Sequence, residues 1–151
     1  MVAMKNVNVT RAAFAGLAGS AAYLIEQAID TSVTGDDTDD LKLLGMLITR
    51  KDPYWKVVGV ISHFVNGALL AVAYAYAMRF IPGPPWLRGV IFAQIENFSL
   101  WHLFIRPMDR FHPAVKSGDL PTYDRTVPFW QGVARHVAYG LVLGLAYGRG
   151  K

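Results

Sequence analysis

The sequence predicts an all-α integral membrane protein built as a four-transmembrane-helix bundle, and three observations carry that expectation. Hydrophobic residues make up 53% of the 151 positions and charged residues 17%, the composition of a chain that lives in lipid. The charges fall, with few exceptions, outside four long apolar runs at about 10–29, 57–80, 87–105 and 127–147. Trp55, Trp86 and Trp130 each stand at the start of a run and Trp101 near the end of one, where an amphipathic ring favours the headgroup region. A soluble bundle with unusually apolar helices has no reason to place its tryptophans there. The length suits one domain, and the whole chain is read as a single membrane domain.

Lys5 and Arg11 precede the first run, and Ala18-Gly19-Ser20 loosely resembles a signal-peptide cleavage site. The apolar stretch continues past it to Ile25, so an uncleaved anchor is expected. In the following loop, Thr38-Asp39-Asp40 precedes a row of leucines, and Arg50-Lys51-Asp52-Pro53 ends it. Thr38 is expected to cap a short amphipathic helix at the interface, with the aspartates at its positive end and Pro53 as its stop. The run Asp36-Asp37-Thr38-Asp39-Asp40 lacks the alternating spacing and distal glutamate of a calcium loop.

The second span is the cleanest: Val57 to Met78 carries no formal charge unless His63 is protonated. At ~1.5 Å per residue it is long enough for a hydrocarbon core of ~30 Å. A tight Pro82-Gly83-Pro84-Pro85 turn leads to the third span, which is interrupted by Glu96 and His102. The loop after it holds Arg106, Pro107, Asp109, Arg110, His112 and Pro113, read as interfacial anchoring, with a grip on lipid phosphate as the sharper alternative. The fourth span contains Arg135 and His136.

Four spans place both termini on one side, with Lys5, Arg11, Arg79, Arg88, Arg149, Lys151 and no acid. That density of basic residues on short segments favours cytoplasmic termini in a bacterial inner membrane. The formal net charge of +4 is then met by anionic lipid and requires no nucleic acid. The chain has no cysteine, which excludes disulfides, thiolate metal sites, iron–sulfur clusters and covalently attached haem.

Within the spans, one pattern occurs twice at an offset of 73 residues: Gly59-Val60, His63, Gly67, Leu70, Ala73-Tyr74, then Gly132-Val133, His136, Gly140, Leu143, Ala146-Tyr147. Four residues advance a helix by about one turn, so Gly59, His63, Gly67, Ala71 and Ala75 share a face, as do Gly132, His136, Gly140, Gly144 and Gly148. The reading is a tandem two-helix repeat with its histidines at similar depth.

Ionisable groups inside spans face the bundle interior and seek partners. Glu26, Gln27, His102 and Gln131 lie about one turn in from the side opposite the termini; His63 follows, then Asn66, Glu96, Asn97, Arg135 and His136 near the midplane. Spans three and four run antiparallel, which predicts a Glu96–Arg135 ion pair. Three readings of the histidines stay open. Close-packed small-residue faces explain them without a ligand. His63 and His136 as axial ligands of one haem b, or a pigment, lying on the bare surfaces of Gly67 and Gly140 is the second. A non-haem metal held by His63 and His136 with Glu26, Glu96 or His102 is the third, though the ExxH spacing of di-iron bundles is missing.

The string His136, Tyr139-Gly140, Gly144, Tyr147-Gly148, with His63 and Gly67 before it, resembles the closing motif of the YagU-like family of small bacterial inner-membrane proteins. The resemblance covers spans two and four. It implies a multi-span membrane protein and brings no chemistry with it. The aspartate-rich loop and the segment 106–113 have no match in it.

The expected function is therefore that of a non-catalytic accessory or scaffold subunit, packed through its small-residue faces into a homo-oligomer or against other membrane subunits. The alternatives are a bis-histidine haem or pigment carrier, and a proton or solute conduit through Glu26, His63, Asn66, Glu96 and His136.

Overall fold

The computed structural model describes residues 7–148, and all regular structure among them is helical. Lys5, Arg149 and Lys151, which entered the charge tally, lie outside the described residues. The long elements are α1 (Val9–Thr34), α3 (Tyr54–Ala77, extended by a 3₁₀ turn over Met78–Phe80), α4 (Pro85–Leu100) and α7 (Thr126–Gly148). Short elements join them: α2 (Asp40–Ile48) between α1 and α3, and a π-helical turn (Trp101–Ile105), α5 (Arg106–Phe111) and α6 (Pro113–Lys116) between α4 and α7. Two helices, Val9–Thr34 and Tyr54–Phe80, are long and apolar enough to cross a membrane.

Local chemistry sets the helix ends. The Asn8 side chain accepts from the Arg11 N–H at the start of α1, and Gly35, at φ 67°, closes its C-terminus in the left-handed conformation that suits glycine. Helix α2 is capped by Asp39, whose Oδ1 accepts from the N–H groups of Leu41 and Lys42. Thr38, expected in that role, is buried one residue earlier and donates to Gln131. The helix ends at Ile48 without help from Pro53. Its carbonyl end folds sharply back, so that α2 runs against the first turns of α3.

That hairpin depends on absent side chains. A Cβ at Gly45 would overlap the Trp55 carbonyl oxygen, and one at Gly59 would overlap that of Leu41. Further along, the face of α3 carrying Gly59, His63, Gly67, Ala71 and Ala75 is buried throughout, with Gly67 seated on Gly16 and Ser20 of α1. Helix α7 makes the corresponding contact with α4: Gly140 lies against Gly89, and Gly144 against Pro85. Gly16 and Gly67 in one contact, and Gly89 and Gly140 in the other, differ by the same 73 residues as the sequence pattern. Close backbone approach of this kind is the geometry that small residues permit in helix pairs.

Helices α1 and α7 join the two pairs. Arg11 of α1 donates to the Ala146 carbonyl at one end, and the Tyr139 hydroxyl donates to the Gly67 carbonyl in the middle. The half of the bundle nearer Val9 and Gly148 is sealed by Ala15, Ala71, Tyr74, Ala93, Tyr139 and Leu143. There α3 and α4 also meet, Tyr74 against Phe92 at 5.4 Å between ring centroids. Toward the other end they part, leaving a cavity between them.

A cap closes the opposite end. Leu43 and Met46 of α2 pack with Met108, Ala114, Leu120 and Tyr123. Fully buried His112 pins the cap, its Nε2–H donating to the Leu43 carbonyl while Nδ1 accepts from the Ala114 N–H. The segment read as interfacial anchoring, with a phosphate grip as the alternative, contributes to this cap. Arg106 pairs with Asp124 at 3.0 Å, and the Asp109 carboxylate accepts from the N–H groups of Tyr123 and Asp124. Large apolar side chains remain outward on every long helix, among them Phe14, Ile25, Ile61, Leu69, Ile95 and Trp130.

Candidate functional site

The polar residues gather where α1, α2, α4 and α7 meet beneath the cap. At the centre is Arg135, whose side chain is 2% exposed. Its guanidinium is held on both edges: Nε and Nη2 donate to Asp30 of α1 at 2.6 and 2.7 Å, and Nη1 donates to Asp40 of α2 at 2.7 Å. Gln131, one turn earlier on α7, donates to Asp30 and Thr34 and accepts from Thr38. A fork of five N–H donors suits such multidentate binding.

Glu96 does not take part. It meets His136, with 2.9 Å between His136 Nε2 and Glu96 Oε2. The expected Glu96–Arg135 pair is thus replaced by two separate clusters, for a reason of azimuth. Arg135 and His136 are neighbours in sequence and so point about 100° apart around the helix. The histidine faces α4, and the arginine faces α1 and the start of α2. The other nitrogen of His136, Nδ1, faces the Gly132 carbonyl at 2.6 Å. Both ring nitrogens therefore address acceptors, and one proton shared between Glu96 and His136 satisfies the pair and leaves it neutral overall.

Tyr23 of α1 links the clusters. Its hydroxyl donates to Asp40 at 2.7 Å, and its ring lies 5.1 Å from the His63 ring and 5.2 Å from that of His136. His63 donates from Nε2 to the Ser20 carbonyl at 3.1 Å. The two histidines thus flank one tyrosine ring, which is in contact with both.

The surfaces of Gly67 and Gly140, expected to receive a macrocycle, are covered by α1 and α4 respectively. Of the proposed metal ligands, Glu96 and His136 meet, His63 lies across Tyr23, His102 is exposed on the π-helical turn, and Glu26 stays outside the cavity lining. No group of three or more His, Asp or Glu able to hold a metal ion occurs among the described residues. The donor atoms point to protein partners.

Beside these clusters lies the cavity, about 350 Å³. Its inner end is formed by Tyr23, Asp40, His63, Glu96, Asn97 and His136, and its walls by Leu44, Leu70, Leu100, Trp101, Phe104 and Ile105. The π-helical turn supplies three of those wall residues, and such turns widen a helix most often at functional sites. Asn66, Leu100 and Phe104 are exposed at the rim, so the cavity opens sideways between α3 and α4. Three buried polar atoms on its lining have no hydrogen-bond partner among the described residues: Ser20 Oγ, Asn97 Nδ2 and Tyr123 Oη. Buried polar groups are seldom left so. Burial, reinforced by the negative charges of Asp40 and Asp39, pushes the Tyr123 phenol well above its ordinary pKa, so it remains a neutral hydroxyl in the roof.

Asn66, Asn97 and Gln131 belong to the polar set that depth alone picks out. Tyr23, Asp30, Asp40 and His112 do not: a tyrosine in a long apolar helix and aspartates at helix ends are ordinary residues until their partners are known. Removing one partner of a buried pair leaves the other charge stranded, at a cost on the order of 3–5 kcal/mol. Asp30→Asn is accordingly expected to lower the apparent Tm of the detergent-solubilised protein by roughly 10 °C. Glu96→Gln, which retains a hydrogen bond to His136, is expected to lower it far less. Equal losses in the two variants would refute the assignment of Arg135 to Asp30.

Comparison with curated proteins and with solved structures finds no match. A family model matches residues 6–151, nearly the full chain. The chain belongs to DUF6789, a family of unknown function.

Proposed function

We propose that the chain is a four-span protein of the bacterial inner membrane, with cytoplasmic termini, that binds a lipophilic small molecule in the cleft between α3 and α4. One observation carries the binding role. An apolar-walled cavity of drug-like size, about 350 Å³, ends in convergent polar groups, and three buried polar atoms on its lining lack partners among the described residues. Ligand sites have this composition, apolar walls with a few placed polar atoms. The opening faces the side of the bundle, where a molecule dissolved in the bilayer arrives directly.

The membrane reading is supported by the two long apolar helices and by the exposed apolar side chains on all four long ones. In water, so many exposed Phe, Ile and Leu residues would form an aggregation-prone surface; in lipid they are the expected exterior. Helix α7 and the run from α4 through the π-helical turn supply the third and fourth spans. Cytoplasmic termini are supported by Arg11, Arg79 and Arg88 on the short segments of that side.

The other readings draw less support. A transmembrane conduit needs a polar path to both faces, and the Ala15, Tyr74, Tyr139 and Leu143 cluster closes the half below the cleft. Association through small-residue faces loses its surface, because Gly16, Gly59, Gly67, Gly89, Gly140 and Gly144 all meet neighbouring helices of the same chain. A bis-histidine haem would have to displace α1 from Gly67 and α4 from Gly140.

Topology is checked by cysteine labelling, for which the cysteine-free chain is a clean background. Pro82→Cys is expected to react with a membrane-impermeant maleimide from the cytoplasmic face and Thr122→Cys from the opposite one; reaction of both from one face rejects four spans. Binding is checked with Trp101, which lines the cleft, in a variant whose other tryptophans are phenylalanine. In nanodiscs, 1-bromo-4-tert-butylbenzene is expected to quench it saturably. Quenching that only tracks partitioning into lipid would rule out the site.

A further inference from the structure

The charges at the inner end of the cleft point to the class of molecule it takes. The Glu96–His136 pair is neutral when it holds one proton between its two members. The second cluster is not balanced: Arg135 stands alone against Asp30 and Asp40. Asp30 is enclosed, accepting from Arg135, Gln131 and Thr31. Asp40 is the member on the cleft lining, and both its bonds, from Tyr23 and Arg135, fall on Oδ2.

Each neighbouring element leaves that charge uncompensated. On α2, the N-terminal amides are already taken by Asp39, and Lys42 turns away to the Asp119 carbonyl. On α3, His63 has no carboxylate at ion-pair distance among the described residues and is engaged with Ser20 and Tyr23. The cap adds the neutral hydroxyl of Tyr123, and α4 adds Asn97, 4% exposed, with its amide nitrogen unpartnered. An excess carboxylate beside an apolar cavity is costly until a positive charge arrives.

Resting on the binding role proposed above, we infer that the cleft selects a lipophilic cation: an ammonium group on a compact apolar body, its charge set against Asp40. The rings of Tyr23, Trp101, Phe104 and Tyr139 line the same space and offer π-faces to an ammonium whose water has been removed. An anionic headgroup finds no free base on the cleft lining among the described residues, since two carboxylates hold Arg135. A neutral molecule of equal shape fills the walls and leaves the charge unmet.

The test uses phenyltrimethylammonium and tert-butylbenzene, which share a shape and differ in charge, with benzenesulfonate as the anion. Each is titrated into the full-length chain whose other three tryptophans are phenylalanine, in phosphatidylcholine nanodiscs, with empty nanodiscs as the reference and Trp101 emission as the signal. The cation is expected to bind at least about tenfold tighter than the neutral isostere, and the sulfonate to give no saturable change. Asp40→Asn, which leaves Arg135 paired with Asp30, is expected to weaken the cation by about tenfold or more and leave tert-butylbenzene unchanged. If tert-butylbenzene saturates the site as tightly as the cation, the cleft is a binding site and the charge selection is wrong. If no probe saturates, the binding role itself fails and the selection with it.

Discussion

A guanidinium enclosed inside a helical bundle has to be satisfied by whatever the chain brings to it, and the arrangement around Arg135 follows from that requirement. Asp30 occupies one edge of the fork and Asp40 the other, while Nη2 also reaches the Thr38 carbonyl at 3.3 Å. One continuous stretch distant in sequence from Arg135 is thereby tied to its side chain: the last turns of α1, the loop after it and the start of α2. An Arg–carboxylate set in this environment is not a source of large net stability, because desolvation offsets much of its attraction. What it contributes is location. Helix α2 begins where Asp40 can reach Arg135, and so comes to roof the cleft.

The remaining geometry follows from where side chains are small. Gly16 with Gly67, and Gly89 with Gly140, bring α1 to α3 and α4 to α7 at backbone contact. Two tight pairs joined through α1 and α7 leave the seam between α3 and α4 without any comparable contact. Near the Pro82–Pro85 turn, Tyr74 and Phe92 fill that seam. Farther on, the π-helical turn at Trp101–Ile105 aligns large side chains along its wall. The cleft is thus the seam of the bundle, closed at one end by aromatic packing and at the other by the cap.

Much of this is legible in the sequence, up to a definite point. The apolar runs locate the long helices to within a few residues; 57–80 becomes Tyr54–Phe80, and 127–147 becomes Thr126–Gly148. Periodicity also identifies the buried face of α3 from Gly59 to Ala75. Depth gathers Asn66, Glu96, Asn97, Arg135 and His136 into one layer. Azimuth is what hydropathy does not carry. Which side of α7 meets α4 decides whether Glu96 finds Arg135 or His136, and that depends on glycine contacts between helices whose order around the bundle is unknown from one sequence. Asp40 was further out of reach, since it belongs to a loop helix whose docking against α3 depends on Gly45 and Gly59. A glycine in a sequence announces only that something comes close; here it is a neighbouring helix of the same chain.

If Arg135 positions α2, then α2 should loosen when that side chain loses its charge while the helix pairs held by glycines persist. Hydrogen exchange on the nanodisc-embedded Arg135→Met variant reads the two separately, since local opening is reported segment by segment. Amides over 43–48 are expected to exchange at least about tenfold faster than in the parent chain, with those of α3 around Gly67 and of α7 around Gly140 still protected. Unchanged protection of α2, or equal loss along all four long helices, would contradict the role given to Arg135.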